Sequence, residues 1–174
     1  MELDHRAGEE KQYLTFLMGA EQYSLDIHQV KEIIAYNDIM EIPMMPNFVK
    51  GVINLRGHAV PVIDLALRFR RKGATISKLT CIIILEVMRE EKVTQLGIMV
   101  DSVNEVISLT ENDIEESPDF GDDVRADFIS GMGRIEDKFI IMLNVSSMLN
   151  LKELEYINQA AEKGREAIGS PSTV

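Results

Sequence analysis

Two stretches of this sequence repeat the same order of features, and that repeat limits the folds open to the chain. Tyr23–Ile34 (YSLDIHQVKEII) sets against Leu96–Ile107 (LGIMVDSVNEVI), so that Val30 falls on Val103, Glu32 on Glu105 and Ile34 on Ile107. Apolar residues coincide again at Tyr23/Leu96, Leu25/Ile98, Ile27/Val100 and Ile33/Val106. Gly51–Leu65 (GVINLRGHAVPVIDL) likewise sets against Gly131–Val145 (GMGRIEDKFIIMLNV), each reading glycine, strand, polar turn, strand. The shared order carries more weight than the identities, because alternation alone produces chance matches. The repeat predicts two similar β-units, each of about five strands, the size of a small closed barrel. Closure removes exposed edges. Neither unit is large enough for a generous core alone, so the two should share an apolar seam.

The strands can be placed individually. Tyr13–Met18 and Gln22–Ile27 read as a hairpin about Gly19-Ala20-Glu21. His28–Glu32 fits one short helical turn, followed by Ile33–Tyr36. A stretch broken by Pro43 and Pro46 suits a loop or an edge. Phe48–Leu55 and Ala59–Leu65 flank the turn Arg56-Gly57-His58, where Gly57 can take positive φ. Cys81–Leu85 is a continuous apolar run that predicts a strand buried on both faces. Gln95–Val100, Val103–Leu109, Ile129–Ile135 and Phe139–Val145 complete the second block, with turns at Arg89–Lys92 and Glu136–Lys138. Asn150 and Glu153 have capping-box spacing ahead of a helical stripe of Leu151, Leu154, Ile157 and Ala161. The expected layout is a disordered tail over 1–11 and a β-domain over 12–149. Within that domain lie a first unit of about 12–68, a linker of about 69–79 and a second unit of about 80–149. A C-terminal helix over 150–164 and a flexible tail over 165–174 follow.

Composition narrows the function. Lys and Arg total 18 against 29 Asp and Glu, a net charge of −11. Such a chain repels phosphate backbones and anionic lipid, so neither nucleic acid nor a membrane surface is the expected partner. Trp is absent and aromatics are 6% of residues, thin for a base-stacking platform. A single cysteine, Cys81, allows no internal disulfide. No apolar run approaches a membrane span, and the N-terminus lacks the charged and apolar regions of a signal peptide. A cytoplasmic location is expected.

Catalytic and metal-binding patterns are missing. His5, His28 and His58 stand at no metal-ligand spacing, and the acids between Glu111 and Asp127 lack the order of a calcium loop and read as a solvated loop. No nucleophile elbow or phosphate loop is present; Ser130-Gly131-Met132-Gly133 has no following Lys and fits a bent strand start. Cys81 sits in an apolar run, where thiols are inert fillers. No enzyme activity, metal or cofactor is expected. The basic cluster Arg68–Lys72 is a linker or a steering patch for an acidic partner. Arg56 is placed at a rigid β-tip. Its guanidinium can fork onto a carboxylate of another chain or pair with an acid of its own, and the residues alone leave both open.

Val49–Gly57 (VKGVINLRG), followed by Val60–Leu65 (VPVIDL), resembles the signature of the CheW family of bacterial chemotaxis coupling proteins. Tyr23–Ile27 with Val30–Ile34, the loop Ile42-Pro43 to Pro46, Leu96–Val103 and Ile129–Gly133 agree with the family's other motifs, in order from about Tyr13 to the last helix. The resemblance implies a mostly β fold of two SH3-like five-stranded barrels about a shared core, with no catalysis. It implies bridging between membrane chemoreceptors and the histidine kinase CheA, whose regulatory domain is CheW-like, within receptor arrays at the membrane. The receptor-facing residues carry over to Val30, Glu32, Gly51 and Arg56 on the first unit. The kinase-facing residues carry over to Cys81, Met99 and Val103, mainly on the second. The repeat partner of Arg56 is Glu136, which suits different partners for the two units. A coupler of this kind could serve chemotaxis or another kinase pathway, such as surface motility.

Overall fold

The computed structural model describes residues 9–69, 76–89, 91–116 and 128–147, together with Tyr156 and Gln159. The strands are β1 (Lys11–Met18), β2 (Glu21–Asp26), β3 (Val30–Ala35), β4 (Val49–Leu55), β5 (His58–Asp64), β6 (Cys81–Arg89), β7 (Lys92–Val100), β8 (Ser102–Leu109), β9 (Ile114–Glu115), β10 (Ile129–Ile135) and β11 (Lys138–Leu143). One helical turn, α1 (Leu65–Arg68), follows β5. Sheet A has the order β8-β1-β2-β11-β10-β9, and sheet B the order β3-β6-β7-β5-β4.

Two sheets of five and six strands form as the repeat predicts, yet they do not coincide with the two sequence blocks. The first block supplies β1 and β2 to sheet A but β3, β4 and β5 to sheet B; the second supplies β6 and β7 to sheet B and β8 to β11 to sheet A. The exchange is reciprocal. β2 leads into β3, which pairs with β6; β7 leads into β8, which pairs with β1. Periodicity marks which face of a strand is apolar and says nothing about which sheet that face covers. Asp101 holds the second crossing, its N–H donating to Leu17 O at 3.1 Å and its Oδ2 accepting from Gly19 N at 2.7 Å.

The repeat survives in the registers. β2 and β11 pair parallel at Tyr23/Ile141 and Ser24/Met142, while β7 and β5 pair parallel at Gly97/Val62, Ile98/Ile63 and Met99/Asp64. The amides of Asp64 and Asn144 donate to Phe48 O and Phe128 O, both at 2.7 Å. Each sheet is also drawn toward closure by the chain itself. After β3, Met40 forms an antiparallel bridge to Val52 of β4, at the other end of sheet B. After β8, residues 110–113 carry the chain to β9, at the other end of sheet A.

The main core is shared by both sheets. Phe16, Tyr23 and Leu25 of sheet A meet Ile63, Ile83, Leu85 and Ile98 of sheet B, all nearly inaccessible. An aromatic stack runs through it, with ring centroids 5.9 Å apart for Phe16–Tyr23 and Tyr23–Phe69 and 5.7 Å for Phe69–Phe128. The Arg68 guanidinium lies 4.9 Å from the ring centres of both Phe48 and Phe128. These contacts sit between the residues that open β4 and β10, the equivalent strands of the repeat.

Several local expectations change. The helical turn near His28 is a 3-10 turn of Ile27–Gln29, capped by Asp26; Val30 to Glu32 are already strand, as their alternating burial requires. The acidic segment begins with a turn at Glu111–Asp113 and contributes β9, because Thr110 and Asp113 satisfy one another and Ile114 pairs with Gly133. Its remainder, 117–127, lies outside the described residues. Lys11 belongs to β1 and not to a tail, since it pairs with Leu109. The linker's 70–75 and the tails 1–8 and 165–174 also lie outside the described residues. So does the C-terminal helix, apart from Tyr156 and Gln159, which are helical.

Candidate protein-binding surfaces

The β4–β5 turn is a two-residue hairpin. Arg56 (φ 51°) and Gly57 (φ 85°) both take the left-handed conformation, the signature of a type I′ turn. Asn54 Oδ1 accepts from Gly57 N at 2.8 Å and fixes the turn. Glycine suits its place; Arg56 does not, and a non-glycine residue held there is a strain that marks the position. Its side chain, 67% exposed, donates from Nη2 to Glu32 Oε2. The two acceptors left open for Arg56 by the sequence therefore resolve, within this chain, to its own Glu32.

That pair spans the open side of sheet B, because Glu32 lies on β3 and Arg56 follows β4, the two ends of the sheet. Surface pairs contribute only ~0–1 kcal/mol. The pair's larger effect is to fix an exposed guanidinium over one face of β3, while Val30 and Ile33 lie on the other, opposite Leu85 and Ile83. Val30 is half-buried against the shared core, and Ile33 is 42% exposed next to Glu32. Lys31 points elsewhere, donating to Glu86 Oε2 of β6 at 2.8 Å. That hydrogen bond, then the Lys31 charge, holds the Glu86 carboxyl below its ordinary range.

Gly51 is placed differently from the other receptor-facing candidates. It is buried, with φ 147°, and a Cβ would lie 2.0 Å from Met40 O. The absence of a side chain lets Met40 bridge to Val52, so Gly51 shapes the sheet beneath Arg56 and presents nothing to a partner.

Of the kinase-facing candidates, Cys81 and Val103 are partly exposed. Cys81 opposes Ala35 of β3 and Val100 of β7, and its Sγ donates to Leu79 O at 3.2 Å. Val103 stands on β8 opposite Phe16. Met99 is fully buried among Val62, Ile82 and Ile84, so it cannot touch a partner; its strand is central in sheet B and both faces are covered. Beside Cys81 lie two apolar residues that sequence reading left in a linker, Leu79 (68% exposed) and Ile76 (47% exposed). Apolar side chains in a polar connecting segment were the available signal.

The exchange also changes where these residues sit. Val30, Glu32, Gly51, Arg56, Cys81 and Met99 all belong to sheet B, and only Val103 to sheet A. Both candidate surfaces therefore border one sheet, where separate units were expected. Among the described residues no group of three or more His, Cys, Asp or Glu could hold a metal ion.

An exchanged pair of β-sheets with a braced arginine at one hairpin tip and half-exposed apolar residues nearby defines a class of small, duplicated β-modules. Residues 12–153 match the family described as CheW-like domain, and the chain belongs to that family. It is 33% identical over 152 residues to the chemotaxis protein CheW of Klebsiella aerogenes, covering 87% of this chain and 89% of that protein. It is 33% identical over 151 residues to the chemotaxis protein CheW of Treponema pallidum, covering 84% and 86%. The crystal structure of the scaffolding protein TtCheW from Thermoanaerobacter tengcongensis matches with a TM-score of 0.74 at 36% identity, over 83% of this chain and 96% of that one.

Proposed function

We propose that this chain is a non-enzymatic adaptor of chemotaxis that couples membrane chemoreceptors to the histidine kinase CheA by binding both. Membership of the CheW family supports the adaptor class. The observation that supports a receptor surface is the exposed Arg56 at a rigid hairpin tip, oriented by Glu32. A partner carboxylate can take the guanidinium while an apolar side chain packs on the edge of β3 at Val30 and Ile33. Gly51 acts from below by shaping the strand. Cys81 and Val103, with Leu79 and Ile76, offer an apolar surface for the kinase's regulatory domain; Met99, buried against Val62, Ile82 and Ile84, supports sheet B from its other face. The mechanism is positioning: two partners on one small module gain effective concentration. A bias on the kinase arises only through tighter binding of one kinase state. Recruitment to membrane-associated receptor arrays follows from the receptor contact.

Calorimetric titration into the CheA regulatory domain, and separately into a soluble receptor-tip fragment, tests this reading. Arg56→Ala should weaken receptor binding at least tenfold and leave kinase binding intact. Leu79→Asp, at an exposed position, should do the reverse. Folded wild type that binds neither partner at micromolar concentration would transfer the assignment to a coupler of another kinase pathway.

A further inference from the structure

The two sheets are equivalent in register but not in filling. In sheet B the positions Ile82, Ile84 and Met99 are fully buried and apolar, and Gly97 leaves no slack, since a Cβ there would meet Ile82 Cγ2 at 3.0 Å and Val62 Cγ2 at 3.2 Å. The register assigns each a counterpart in sheet A. Ser24 pairs with Met142 as Gly97 pairs with Val62. Opposite Asp26 and Ser24 stand Tyr13 and Thr15, as Ile82 and Ile84 stand opposite Met99 and Gly97. An apolar plug of Ile82, Ile84 and Met99 is thus replaced by Tyr13, Thr15 and Asp26, and the glycine by a serine.

The consequence is a cleft of about 340 Å³ in sheet A, where β2 and β11 diverge after their short parallel contact. Small-molecule sites begin at roughly this size. Thr15 is accounted for, donating to Glu105 O at 2.8 Å and accepting from Glu105 N at 3.2 Å. Ser24 is not: it lines the cleft, is fully buried, and its Oγ has no hydrogen-bond partner. A buried hydroxyl left unpaired is costly, and its natural remedy is a bound polar group. Asp26 lines the cleft as well, and both of its bonds to His28 fall on Oδ1. Burial, then the Asp26 charge, pushes the Tyr13 hydroxyl above its ordinary range, so it stays neutral. Apolar wall comes from Ile114, Met142 and Leu143. No Lys or Arg stands among the described lining residues, and the chain carries a net −11.

We propose that this cleft binds a primary ammonium group on a short apolar stem, with Asp26 pairing the charge, Ser24 accepting a hydrogen bond and Met142 and Leu143 covering the stem. Coupling of receptor and kinase uses none of these residues, so the site stands apart from that reading.

The test is an amide chemical-shift titration of the full chain with n-pentylammonium chloride. Saturable shifts are expected at Ser24, Asp26 and Met142–Asn144. Pentan-1-ol should bind at least tenfold more weakly. So should pentylammonium to Asp26→Asn, which keeps the acceptor for His28 N and whose fold the same spectra report. An Nα-acetyl-lysine methylamide arm separates two sources of the chemistry. Equal or tighter binding identifies a lysine side chain presented by a partner, and weaker binding a free amine. The proposal falls if pentylammonium gives no saturable shift, if pentan-1-ol matches it, or if Asp26→Asn binds as wild type does.

Discussion

At the scale of the residue, Arg56 and Gly51, five positions apart in the chain, do opposite kinds of work. Arg56 carries chemistry at the expense of conformation. Type I′ turns favour Asn-Gly, and a left-handed non-glycine residue costs about 1 kcal/mol or more. Arg56→Asn should therefore leave the chain as stable as wild type or up to about 1 kcal/mol more stable, even with the surface pair to Glu32 lost. Urea unfolding measures that, and receptor affinity should still fall at least tenfold. Gly51→Ala, by contrast, should lower stability. Its Cβ would stand 2.0 Å from Met40 O, so the Met40–Val52 bridge must open, at a cost of about 2–4 kcal/mol in the same assay. Asp113 offers a pH signature. Bonds from the Thr110 amide at 2.9 Å and hydroxyl at 3.0 Å depress its carboxyl below the ordinary range. A depressed carboxyl contributes stability that is present above its unfolded value and lost as pH falls through the folded one. Asp113→Asn should flatten the stability profile on the acid side, with the loss falling at neutral pH and vanishing once Asp113 is protonated in the wild type.

At the scale of the element, the segments that open β4 and β10 bind the two sheets together. Phe48 and Phe128 sandwich the Arg68 guanidinium, and Phe128 also ends the aromatic stack. Phe128 is 4% exposed, so Phe128→Ala should cost about 3–5 kcal/mol in chemical unfolding. Loss of less than about 1 kcal/mol would mean that the stack is not part of the stabilising core. The hairpin β4–β5 was readable because its turn is local: Arg56-Gly57 between alternating apolar runs needs nothing from elsewhere in the chain. β9 was not readable. Two residues, Ile114 and Glu115, become a strand only because β10 stands alongside to accept them.

At the scale of the whole molecule, the reciprocal placement of β3 and β8 makes the two sequence halves interdependent. Each half supplies strands to both sheets, so neither can close a sheet alone. Fragments 1–75 and 76–174 should each lack dispersed amide spectra, and should regain the native spectrum when mixed. A fragment that folds by itself would contradict the exchange. The same placement brings both candidate surfaces onto the border of sheet B, so receptor and kinase contacts are expected to be close enough to influence one another. Double-mutant titrations with Arg56→Ala and Leu79→Asp would read that coupling as a departure from additive affinities.

By itself the sequence determined the family, the mostly β class, the duplicated pattern, the shared apolar seam and the turn that lifts Arg56. These are properties of local spacing: alternation sets which face is apolar, and glycine at a tight turn sets where the chain reverses. It could not determine which sheet each strand joins, because β3 and β8 carry the same pattern whichever sheet they cover. It could not show that Met99 is sealed inside sheet B while Cys81, beside its neighbour Val100, is partly exposed. Nor could it reveal that Ser24 and Asp26 border a cleft where Gly97 and Met99 lie in a packed interior. Burial is a property of what stands opposite, and in this chain the opposing strands come from distant parts of the sequence.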